Sequence, residues 1–132
     1  MKVTVDANIL ARAVVGDDAQ QAKAAANLLK GAQIIAVTLP CLCEFVWVLR
    51  RVYGFAKPDI ARALDALLAA GNVAVDRPAV EAGLAVFNAG GDFADGLIAY
   101  EGGWLGADTF VSFDRKAVAV IAAQGQAASV LE

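Results

Sequence analysis

Asp6, Glu44, Asp95 and Asp114 are the side chains of this 132-residue chain best placed to do chemistry. Asp6 closes one short β-prone segment, residues 2–5, and Asp114 closes another, residues 109–113. Glu44 lies in the first turns of a helix opened by Thr38-Leu39-Pro40, and Asp95 in the first turn of a helix opened by Asp92. A helix N-terminus stabilises a negative charge by roughly 0.3–1 kcal/mol. Two like charges about 4 Å apart repel by ~4 kcal/mol at an effective dielectric near 20. Four carboxylates gathered at one point therefore need a cation. Donors that are all oxygen point to Mg²⁺ or Mn²⁺ rather than zinc. The chemistry that suits such a site is phosphodiester hydrolysis. The ion lowers the pKa of the attacking water and neutralises charge on the phosphate and leaving oxygen.

The missing residue types narrow the field further. The chain has no histidine, which removes Ser-His-Asp and Cys-His pairs, imidazole acid–base chemistry and histidine metal sites. Cys41 and Cys43 fall short of a four-ligand zinc site, and both read as small buried apolar residues. The net charge of −3 suits a nucleic-acid binder poorly. Set those four acids aside and the remainder carries +1, and a bound cation reverses the local field. Hydrophobic residues make up 59% and charged residues 19%, which excludes a disordered chain. No apolar run is long enough for a membrane span, and Lys2 and Asp6 interrupt any signal-peptide core. A cytoplasmic protein of one domain, residues 1–132, is expected.

The elements that must position the acids alternate. Strands are predicted at residues 2–5, 33–37, 72–75, 109–113 and 127–131. Helices are predicted at about 8–15, 19–30, 39–53, 57–70, 78–88, 92–104 and 115–123. In the third helix Leu42, Phe45, Val46, Leu49, Val52 and Tyr53 share one face, and in the fourth Ile60, Leu64, Leu67 and Leu68 do. This alternation implies an α/β fold with a mainly parallel sheet and helices on both faces. On such sheets ligands bind beyond the strand C-ends, where all four acids are predicted to lie.

Each acid also has a purely structural reading. Asp6 suits a turn, with Asn8 capping the first helix. Asp92 and Asp95 have capping-box spacing. Asp114, before Arg115-Lys116, suits an N-cap. Glu44 is the only charge within residues 34–49, a stretch that otherwise reads as core, so it needs a partner there.

Four segments also resemble the motifs of PIN-domain nucleases. Val3-Thr4-Val5-Asp6-Ala7-Asn8 is similar to the first, a strand ending in Asp-x-Asn. The segment at residues 38–54, with its lone Glu44 ahead of an apolar helix, resembles the second. Gly91-Asp92-Phe93-Ala94-Asp95-Gly96 resembles the third, and Val111-Ser112-Phe113-Asp114-Arg115-Lys116 the fourth. Within that family the size looks most like VapC-like toxins of bacterial toxin–antitoxin pairs. The resemblance implies a three-layer sandwich around a five-stranded parallel sheet in order 3-2-1-4-5. It implies a Mg²⁺-dependent endoribonuclease, a homodimer and a small antitoxin partner. Asp6 and Asp95 would be the chief metal ligands, Glu44 would bind metal or orient water, and Asp114 would complete the set. Asn8, Asp92 and Ser112 would support those ligands through hydrogen bonds. Two departures stand out: Gly96 takes a place where the family often has alanine, and Gly102-Gly103 predicts a kink or an early helix end.

Arg12, Arg115 and Lys116 are candidates for RNA contact, because each follows a site acid in sequence. Trp47, Tyr100 and Trp104 read as core or dimer contacts. The alanine-rich segment 22–29 reads as core packing, with a groove for an antitoxin helix as the second choice. Two rival functions fit less well. A metal-dependent phosphatase of the haloacid-dehalogenase type needs Asp-x-Asp, whereas Asn8 holds the second place. A non-catalytic PIN-fold interaction domain has no use for four mutually repelling acids.

Overall fold

The computed structural model describes residues 1–132. Its elements follow in the order β1 (Lys2–Thr4), α1 (Ala7–Val15), α2 (Ala19–Gly31), β2 (Ile34–Ala36), α3 (Leu39–Arg51), α4 (Lys57–Ala69) and β3 (Val73–Ala74). After these come α5 (Arg77–Asn88), α6 (Phe93–Trp104), β4 (Thr109–Ser112), α7 (Arg115–Ala123) and β5 (Ala127–Val130). The chain divides into two compact units, Met1–Asp76 and Arg77–Glu132.

In the first unit β1, β2 and β3 form a parallel sheet in the order β1-β2-β3, with Lys2 opposite Ile34 and Ile35 opposite Val73. The helix α1 packs on α2 and α3, and α3 on α4. The expected inward face of α3 is buried at Leu42, Phe45, Val46 and Leu49, and Ile60 and Leu64 of α4 are buried as well. Burying each such side chain is worth about 1.5–3 kcal/mol, so these six fix the helix orientations. Val52 departs from the expected face and is exposed, because α3 has ended at Arg51 and the chain turns away.

In the second unit β4 and β5 pair in parallel, Thr109 opposite Ala127 and Ser112 opposite Val130. Val86, Ala99 and Ile121 form its core cluster, flanked by Phe110, Val120 and Ala128. The helices α5 and α6 cross very closely. A Cβ on Gly96 would lie 2.8 Å from the Gly83 Cα and 3.0 Å from the Ala82 carbonyl oxygen. Gly96 is thus the residue that this crossing requires, which accounts for its departure from alanine. Beside it Phe87 and Phe93 meet edge to face, their centroids 6.5 Å apart.

Several expectations are corrected. The partial orders 3-2-1 and 4-5 are present, but the strands form sheets of three and two rather than one sheet of five. The helix α6 runs through Gly102 and Gly103 to Trp104, since its hydrogen-bonded turns outweigh about 1 kcal/mol per glycine. Trp47 and Trp104 lie outside the core, 58% and 78% exposed. Of α2 only Ala25 is buried, and Ala24, Ala25 and Leu28 line an open cleft beside α1 instead of a closed core. No helix is long and apolar enough to cross a membrane.

Candidate carboxylate site

Three of the expected site residues occupy helix N-caps. The Ile9 N–H donates to Asp6 Oδ1 (3.1 Å) at the start of α1. The Ala94 N–H (2.7 Å) and the Asp95 N–H (3.4 Å) donate to Asp92 Oδ1 at the start of α6. At α7 the Lys116 N–H (2.9 Å) and Ala117 N–H (3.1 Å) donate to Asp114 Oδ1. These bonds satisfy amides that have no partner inside their helices, so the structural readings of Asp92 and Asp114 hold. Asp6, rather than Asn8, caps α1, because Asn8 already stands within the helix. Each cap fixes its carboxylate at the head of a helix dipole and leaves oxygen lone pairs for another ligand.

The remaining two acids cap nothing. Glu44 is exposed on α3 and makes no hydrogen bond or ion pair, so the expected buried partner is not needed. It points out of the face that Phe45, Val46 and Leu49 bury. Asp95 is half-buried on α6 and its carboxylate accepts no hydrogen bond, so it does not complete a capping box with Asp92.

Electrostatics ties the acids together within each unit. Burial, then the nearby charges of Asp92 and Asp114, hold the Asp95 carboxyl above the ordinary carboxylate range. In the first unit burial pushes the Cys41 thiol up to about 11, and Asp6 and Glu44 add to the shift. Cys41 therefore stays protonated and unreactive near neutral pH. Cys43 is only half-buried, and neither cysteine is in a disulfide.

The supporting residues are placed as follows. The Asp114 N–H donates to Ser112 Oγ (3.0 Å), so Ser112 shapes the turn that presents Asp114. Asn8 is exposed, and its carboxamide has no partner. Arg12 is held by Asp17, Nη1 to Oδ1 at 2.8 Å, and reaches the Tyr53 hydroxyl at 3.4 Å. The Tyr53 hydroxyl in turn donates to Asp17 Oδ2 (3.1 Å). Asp17 is consequently held below the usual carboxylate range, chiefly by its bond from Arg12. Sequence reading missed Asp17 and Tyr53, which lie 36 residues apart and carry no local signal of pairing. Arg115 is exposed and pairs with Glu132 at 3.4 Å, while Lys116 is exposed without a side-chain partner.

The donor set is oxygen alone, which fits a hard divalent ion. Within neither unit do three His, Cys, Asp or Glu side chains come together in a group that would hold one. The sequence profile of the PIN domain matches residues 3–122, and PIN domains are generally nucleases that use divalent metal ions. No curated protein matches the chain.

Proposed function

The chain belongs to the PIN-domain family, and from that premise we propose that it is a Mg²⁺- or Mn²⁺-dependent endoribonuclease. The observation that carries this reading is Asp95. Its carboxylate is half-buried, lies near Asp92 and Asp114, and accepts no hydrogen bond. Capping explains Asp6, Asp92 and Asp114, but it explains neither Asp95 nor Glu44. A non-catalytic interaction domain gains nothing from keeping them.

In this proposal residues 1–132 work as one domain, and Asp6, Glu44, Asp95 and Asp114 act together on one RNA phosphate. A bound divalent ion would supply Lewis acidity and a more acidic water. The chain contributes orientation. The α1 and α7 amides fix Asp6 and Asp114, Ser112 sets the turn before Asp114, and Glu44 stands free to accept a proton or a ligand. Asn8 and Asp92 support from beside the ligands, and exposed Arg115 and Lys116 are available to RNA phosphates. We further propose, on the resemblance to VapC-like proteins, a cytoplasmic toxin that forms a homodimer and is restrained by a small antitoxin.

The test is cleavage of single-stranded RNA with Mg²⁺ or Mn²⁺, followed by EDTA. Cleavage should stop with EDTA and return with excess metal, whereas EDTA-resistant cutting overturns the metal reading. In the same preparation, Mn²⁺ should broaden the NMR signals of Asp6 and Asp95 at one apparent Kd. Broadening of only one of them would end the shared-site proposal.

A further inference from the structure

The helices α1 and α2 enclose a cleft of about 360 Å³, within the range of small-ligand sites. Ile9, Ala24, Ala25 and Leu28 give it an apolar lining, and Asp6, Asn8, Arg12 and Gln21 give it a polar one. The spacing explains the arrangement. Gln21, Ala24, Ala25 and Leu28 recur at i, i+3, i+4 and i+7 on one face of α2, and Asn8 and Arg12 stand one turn apart on α1.

Three of the polar side chains are poised for a ligand. Only Nη1 of Arg12 is engaged, by Asp17 and Tyr53, which leaves Nε and Nη2 without a protein partner. That planar edge matches two phosphate oxygens, and the Asp17–Tyr53 contacts limit the freedom it would lose on binding. The carboxamides of Asn8 and Gln21 have no hydrogen-bond partner, and a carboxamide pairs with the edge of a nucleobase. The apolar lining offers contact to the base itself. A helix from a protein partner would use the apolar lining but would leave Arg12 and both carboxamides without a designated role.

We propose that the α1–α2 cleft is a nucleotide subsite that sets base preference, with Arg12 on an RNA phosphate and Asn8 and Gln21 on the base edge. This rests on the RNA-cleaving reading, and because Asp6 lines the same cleft, the bound nucleotide lies next to a site carboxylate. Gln21 is the specificity residue best isolated for a test, since it is exposed and its side chain makes no bond within the protein.

The experiment maps cleavage of a random-sequence RNA pool by the wild type, Gln21→Ala and Arg12→Lys. The wild type should favour particular bases at one position flanking the cut, and Gln21→Ala should flatten the preference there. Arg12→Lys keeps the charge but loses the planar fork, and KM should rise about tenfold, the equivalent of one charge-assisted bond, with kcat changed less. In EDTA, Arg12→Ala should lower the salt slope of single-stranded RNA binding by roughly 0.7, as loss of one phosphate contact requires. A melting curve for each variant separates a folding defect from a binding one. Unchanged cleavage profiles and salt slope in folded variants overturn the subsite, while leaving the nuclease reading intact. A wild type that cuts no RNA overturns the nuclease reading itself.

Discussion

The two units hold their acids in different electrostatic settings. In Met1–Asp76, Asp6 and Glu44 are exposed, and they only add to the effect of burial, which raises the Cys41 thiol to about 11. In Arg77–Glu132, Asp95 is half-buried beside two other acids and its own pKa is raised. Acids that cap a helix are compensated by backbone amides. Repulsion collects at the acid that caps nothing and is partly removed from water. The two units should therefore respond to pH with opposite sign: in the first, the Asp17–Arg12 pair is lost as pH falls, and in the second, stability falls as Asp95 ionises.

The largest expected effect is on activity. Asp6→Asn and Asp95→Asn should each lower RNA cleavage by roughly 10²–10³-fold, the scale on which loss of one electrostatic group acts. Asparagine caps a helix as well as aspartate does, so Asp6→Asn should keep its melting temperature. Cleavage at the wild-type rate would remove both residues from the reaction and leave only their structural roles.

Next comes packing in the second unit. Gly96→Ala should cost about 1–3 kcal/mol, since its Cβ would meet backbone atoms of α5 that have little room to move. Urea unfolding reads this directly. An unchanged midpoint would mean that the α5–α6 crossing opens without loss.

Smaller effects separate capping from charge. Asp114→Ala loses the cap of α7 and should cost about 0.5–2 kcal/mol. Asp114→Asn keeps the cap and removes a charge near Asp95, so it should be close to neutral. Equal losses in the two variants would show that the charge itself stabilises the unit.

The smallest effect sharpens the comparison most. The folded pKa of Asp95 lies above its unfolded value, so between the two the folded state binds more protons. Stability of the metal-free protein therefore falls as pH rises from the ordinary carboxylate value through the raised one. Above that window the penalty is complete. Asp95→Asn should remove this part of the pH dependence and slightly raise the melting temperature at pH 7. A marked fall in its melting temperature would instead identify Asp95 as a structural residue.

Much of this was legible in the sequence. The order of the twelve elements follows from hydrophobic spacing, from Pro40 in the first turn of α3 and from cap residues such as Asp92 and Asp114. The acids were legible because strand ends and helix starts can be located locally. The partner expected for Glu44 was misread, because burial was inferred from its apolar neighbours while the helix turns Glu44 to solvent. Of the two readings given for Trp47 and Trp104, core or dimer contact, their exposure removes the core one, since composition does not say which face is covered.

The sequence by itself determined the family and the placing of Asp6, Asp92 and Asp114 at helix starts. These depend on residue types and short spacings. Tertiary structure decided that Arg12 is held by Asp17 and Tyr53, that Asp95 has two acids nearby, and that Gly96 admits no side chain. It also decided that the strands form two sheets. Each of these is a distance between atoms that the chain brings together only on folding, and a linear pattern carries no information about it.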